Sequence, residues 1–156
     1  MKFTTAKIDQ AIEKETAHDN NSLIILEQLA EDQPALAAYL AQENFQLLTA
    51  EEHDYLIFIT TVIYRLYSER FPELLHIDEE LLDEYEEANW DKMSTVSEKK
   101  FSRRIDAFFQ DFEEEDLLAF VEDALAEDEL SVVSKEGREP MFIAAKTIID
   151  AFEASI

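Results

Sequence analysis

Apolar positions recur at helical spacing along almost the whole chain, and the breaks in that rhythm carry capping chemistry. Residues 5–16 place Ile8, Ala11, Ile12 and Glu15 on one face, which predicts a short first helix. His18, Asp19, Asn20, Asn21 and Ser22 then break and restart the chain, because Asn and Ser side chains compete for backbone donors. A second helix is expected over 23–31. A third should run from Asp32-Gln33-Pro34 to about residue 47, with Pro34 in the first turn, where its missing N–H is harmless.

Thr49-Ala50-Glu51-Glu52 reads as a capping box, in which hydroxyl and carboxylate each satisfy an orphan N–H. The helix it opens, over about 50–70, is apolar nearly all round between Tyr55 and Tyr67. Its polar exceptions, Asp54, Thr61, Arg65 and Ser68, fall on one narrow stripe, so neighbouring helices should bury it. The β-branched run 57–63 has strand propensity, but Val132-Val133 is the one other β-like patch, too little to pair with it. The apolar stretch is also shorter than the roughly 20 residues a bilayer demands.

Beyond Pro72, Asp78 should start a helix reaching about residue 89, with Leu81, Leu82, Tyr85 and Ala88 inward. Thr95-Val96-Ser97-Glu98 reads as a second capping box. After it Phe101, Ile105, Phe108, Phe109 and Phe112 form an amphipathic face. A helix over 116–127 would turn Leu117, Phe120, Val121, Ala124 and Leu125 inward. Residues 131–139 read as a loop, after which Pro140 opens a last helix with Met141, Ala145, Ile148, Ile149 and Phe152 on one face. The expectation is a single all-α domain over 1–156, a compact bundle of seven or eight short helices around a largely buried central helix.

Composition keeps that picture and changes its surface. With 47% apolar residues, including 11 Phe, the chain has material for a core, so its net charge of −24 decorates a fold and does not signal disorder. The 37 acidic residues outnumber 13 basic ones, which disfavours direct binding to nucleic acid or to an anionic membrane surface. No cysteine means no disulfide, thiolate nucleophile or Cys-ligated metal. The single glycine, Gly137, argues against phosphate-cradling loops and dinucleotide fingerprints, and no cofactor is expected. Residues 1–7 hold no apolar run of the signal-peptide kind, so cytoplasmic residence is the default, and Asn20-Asn21-Ser22 reads as capping chemistry, not as a glycosylation triplet.

The charge is patterned. Residues 15–64, 71–91 and 105–134 contain no Lys or Arg, whereas Lys92, Lys99, Lys100, Arg103 and Arg104 crowd into one island. That island either balances the acidic helices beside it or docks an acidic surface, of a partner or of a second copy. Trp90, just before it, is either a core plug or an interface anchor. Arg65, an isolated cation on a buried helix, should pair with a neighbouring acid; otherwise it is available to an anionic ligand or to a partner's carboxylate.

Two Glu-x-x-His motifs, Glu15 with His18 and Glu73 with His76, have the spacing that di-iron bundles use. Glutamate is so common here that such motifs also arise by chance, and both sit near helix ends. His53, beside Glu51, Glu52 and Asp54, reads as a solvated residue. Three functional readings remain. The leading one is a non-enzymatic interaction protein, of adaptor or inhibitor type, docking a basic protein partner. The second is a nucleic-acid mimic or immunity-type inhibitor. The third is a metal-dependent bundle enzyme using Glu15, His18, Glu73 and His76. Self-association is left open.

Overall fold

The computed structural model of the chain describes residues 2–17, 22–42, 45, 47–73, 76–110, 112–126 and 132–156. It is all-α, with α1 (Thr5–Ala17), α2 (Ser22–Asp32), α3 (Pro34–Leu40), α4 (Ala50–Arg70), α5 (Glu79–Ser94), α6 (Phe101–Arg104), α7 (Asp106–Phe109), α8 (Glu115–Ala124) and α9 (Lys135–Ala154). No helix among the described residues is long and apolar enough to cross a membrane. The break at His18, including Asn20 and Asn21, lies outside the described residues.

Two helices make the centre. α4 behaves as its sequence predicts, burying Leu56, Ile59, Val62, Ile63, Leu66 and Tyr67 while α1, α2, α8 and α9 pack around it. α1 lays Ile8, Ala11 and Glu15 against α4, and Glu15 accepts a 2.6 Å hydrogen bond from Arg65 Nε, so the polar stripe of α4 meets α1. The second central helix, α9, is buried almost all round from Met141 to Phe152 rather than on the single expected face. It packs on α4, α5 and α8, and each fully buried Ile or Phe it contributes stabilises the fold by about 1.5–3 kcal/mol. Aromatic contacts join the layers. The Tyr67 ring stacks on Phe152 at 5.1 Å and takes Phe3 edge-on at 4.8 Å, while Phe142 meets Phe101 and Phe108 edge-on.

α9 starts earlier than Pro140 for a reason invisible in local sequence. Ser134 is the N-cap, its Oγ accepting from Gly137 N at 3.0 Å, and both Ser134 N and Ser134 Oγ donate to Glu52 Oε2 at 2.9 Å. Glu52 Oε1 meanwhile accepts from Thr49 N at 2.9 Å, completing the capping box of α4. One carboxylate thus holds the first turns of both central helices. It rests against Gly137, where an added Cβ would come within 2.8 Å of Glu52 Cδ and nearer still to Oε2. The lone glycine makes room for that close approach and does not serve a turn.

Other boundaries moved for equally specific reasons. α5 begins at its Asp78 cap, whose Oδ1 accepts from Leu81 N at 2.8 Å, but continues past residue 89 to Ser94 because Asn89 and Met93, not Ala88, face inward. Asn89 Nδ2 donates to Thr147 Oγ1 and Asp150 Oδ2 of α9, each at 3.1 Å, so a polar residue sits in the α5–α9 seam with its donors satisfied. The second capping box does not form. Thr95 ends α5 instead, its hydroxyl donating to Lys92 O at 2.7 Å, and the phenylalanine-rich segment divides at Ile105 into the single-turn helices α6 and α7. α3 stops at Leu40, whose carbonyl accepts 2.8 Å from His53 Nε2. Since a carbonyl only accepts, Nε2 carries the proton, and His53 is a half-buried clamp rather than a solvated residue.

Candidate functional site

Helical periodicity divides α5 into two faces. Leu82, Asn89 and Met93 turn inward, and Glu80, Asp83, Glu84, Glu87 and Asp91 recur at i, i+3, i+4, i+7 and i+11 on the exposed side. None of these carboxylates forms an ion pair among the described residues. Trp90 lies beside the row and is 39% exposed, one of four exposed large apolar side chains among the described residues. Lys92 turns away from it, Nζ lying 5.2 Å from the centroid of the Phe108 ring.

A second surface gathers the cations. A groove of about 950 Å³ opens between the 97–104 segment, the C-terminal end of α8 and the first turn of α9. Lys99, Lys100 and Arg104 line one side, Lys135 and Arg138 come from α9, and Glu122 and Asp123 face them from α8. Arg104 is immobilised. Its Nε is paired with Glu139, and its Nη1 donates to the carbonyls of Val96 at 3.2 Å and Glu98 at 2.8 Å, pinning the segment that carries the lysines.

Arg138 is only 8% exposed, with Nε donating to Leu125 O at 2.6 Å and its guanidinium 5.4 Å above the Phe101 ring. It thereby satisfies a terminal carbonyl of α8 while its Nη groups keep no partner among the described residues. Lys99, Lys100 and Lys135 also form no ion pair among those residues. On the acidic wall, burial pushes the Glu122 carboxyl up, and neighbouring Asp123 and Asp106 push it further.

The island is therefore divided. Lys99, Lys100 and Arg104 share the groove, Arg103 is exposed outside its lining, and Lys92 belongs to α5. Lys135 and Arg138 were missed because they lie far along the chain. The available signal was that the cation-free run 105–134 ends at Lys135. Arg65 stands apart, bridging Glu15 at 2.6 Å and Glu69 at 3.4 Å, with 27% of its side chain exposed.

For the Glu-x-x-His motifs, Glu15 is held by Arg65, and Glu73 and His76 are exposed near the Pro72 turn, whereas His18 lies outside the described residues. Among those described, no group of three or more His, Asp or Glu side chains is arranged to hold a metal ion.

Two buried polar clusters sit elsewhere in the core. Lys146 Nζ bonds both oxygens of Asp150 at 2.7 Å and lies 4.5 Å from the Phe112 ring centroid; burial lowers its pKa while Asp150 opposes that shift. Near the N-terminal segment, Glu114 Oε1 accepts from Phe3 N at 2.8 Å. Glu114 Oε2 and the Tyr67 hydroxyl are buried without a well-formed hydrogen bond among the described residues. Burial raises the pKa of Glu114, with Glu153 and Glu113 adding to it, and burial likewise raises Glu153 and Tyr67. No known family model, characterised protein or solved structure matches the chain, so its function has to be read from these surfaces.

Proposed function

We propose that this protein is a non-enzymatic interaction module that docks a basic protein partner on the exposed face of α5. The observation that carries the reading is the row Glu80, Asp83, Glu84, Glu87 and Asp91, unneutralised and bordered by the half-exposed Trp90. A row of like charges held on a rigid helix costs self-repulsion that a cationic surface would relieve, and it steers such a surface by long-range attraction. Trp90 supplies what the charges lack. An amphipathic aromatic ring beside a charged rim is the side chain most often found to anchor an interface.

The test compares two variants of equal net charge. One neutralises Glu80, Asp83, Glu84 and Glu87 to their amides. The control neutralises the exposed acids Asp9, Glu13, Glu115 and Asp116 on α1 and α8. In capture experiments at low and moderate salt, the wild type and the control should retain a basic protein that the α5 variant and Trp90→Ala lose. Equal loss in both charge variants would reduce the effect to bulk charge and overturn the reading.

A further inference from the structure

The groove between the 97–104 segment, α8 and α9 differs from the rest of the surface in one respect. It collects five of the molecule's 13 cations, and among them only Arg104 forms an ion pair within the described residues. Arg138 is held as an anion receptor is held. Its Nε is fixed to Leu125 O, its guanidinium carbon lies 5.4 Å from the centroid of the Phe101 ring, and its Nη groups have no partner among the described residues. A guanidinium with both rotation and position fixed offers a fork that matches a carboxylate. Lys99, Lys100 and Lys135 stand nearby as exposed counter-charges.

The ligand cannot be simply anionic, because Glu122 and Asp123 face the same space from α8. A polyanion would meet those carboxylates as well as the −24 charge of the whole chain. A ligand carrying both signs satisfies both walls. With a volume near the top of the roughly 300–1,000 Å³ usual for ligand sites, the groove accommodates a short stretch of peptide.

We propose that this groove binds a mixed-charge peptide segment, with a carboxylate on the Arg138 guanidinium and a lysine or arginine on Glu122 and Asp123. The proposal rests on the interaction-module reading but uses a different surface, so each can fail alone. Such a segment would belong to the same basic partner and add specificity that the α5 row does not supply.

The probes are short blocked peptides of alternating glutamate and lysine, of glutamate alone and of lysine alone, titrated into the 156-residue chain by NMR. The alternating peptide should bind saturably, shifting signals of Lys99, Lys100, Phe101, Lys135 and Arg138. Arg138→Gln should weaken it about tenfold, the loss expected for a charge-assisted pair. Because Arg138 also supports α8, Lys99→Glu and Glu122→Gln serve as surface variants. Each should weaken the alternating peptide, whereas the α5 variant with neutral amides should bind it unchanged. Non-saturating shifts, tightest binding by either uniform peptide, or loss of binding in the α5 variant would each overturn the proposal.

Discussion

Two glutamates of this protein are equally hidden from solvent, Glu52 and Glu114 each being 1% exposed, yet their environments act on them in opposite directions. Burial raises the pKa of both. At Glu52 the donors of Thr49 and Ser134 outweigh that effect and hold the carboxyl below its ordinary value. At Glu114 a single N–H, from Phe3, meets one oxygen while the other has no hydrogen-bond partner among the described residues, and nearby Glu153 and Glu113 repel the charge. More hydrogen bonds to the charged form at Glu52, and fewer of them together with like-charge repulsion at Glu114, separate the two. A carboxylate bonded on both oxygens can join two helices, whereas one left half-bonded favours its protonated form.

The largest effect should follow removal of the joint. Glu52→Ala deletes half of the α4 capping box and leaves the Ser134 N–H without its acceptor at the start of α9. Together these losses should cost about 3 kcal/mol or more in chemical denaturation, since a helix cap contributes about 1 kcal/mol and a bond to a charged group about 1.5–3 kcal/mol. A loss below about 1 kcal/mol would mean that water or another side chain readily replaces the carboxylate.

Next comes Gly137→Ala, whose sign depends on Glu52. In the wild-type background the new methyl displaces the carboxylate from Ser134, and a net loss of about 1–2 kcal/mol is expected despite the helix propensity of alanine. With Glu52→Ala already present, the obstruction is gone, and the same change should stabilise by about 0.5–1 kcal/mol. A double-mutant cycle without that inversion would show that the glycine is there for another reason.

This joint also marks where sequence reading stopped. Caps and apolar spacing gave the all-α class, α1, the buried α4 and the Asp78 start of α5, because each depends on residues within a turn or two of one another. The onset of α9 depends on Glu52, distant in sequence, so Ser134 looked like loop and Pro140 like the first helical residue. Asn89 misled for the same reason. A polar side chain turns inward only if partners await it, and Thr147 and Asp150 belong to another helix. The groove was half legible, since local clustering found Lys99, Lys100 and Arg104, while Arg138 gains its role from Leu125 and Phe101 across the fold. Trp90 reads equally as core or surface in the sequence, and it is the extension of α5 past it that turns it outward.

The smallest predicted effect tests the other side of the comparison. A carboxyl whose folded pKa is raised binds its proton more tightly folded than unfolded. Its stabilising contribution is complete below the unfolded value, near 4.5, and is lost as pH climbs through the raised one. Glu114 and Glu153 should therefore make stability fall as pH rises above the ordinary carboxyl range. Glu52, shifted down, contributes above its unfolded pKa and loses that contribution only as acid brings the pH through its lowered folded value. Glu114→Gln keeps the acceptor for Phe3 N and removes the charge, so it should be neutral or stabilising by up to about 1 kcal/mol near neutral pH. Denaturation measured across mildly acidic to mildly alkaline pH should show a shallower decline than in the wild type, with Glu153 still titrating. An unchanged slope, or destabilisation beyond about 1 kcal/mol, would mean that the Glu114 charge is compensated in the fold, and the contrast with Glu52 would lose its electrostatic basis.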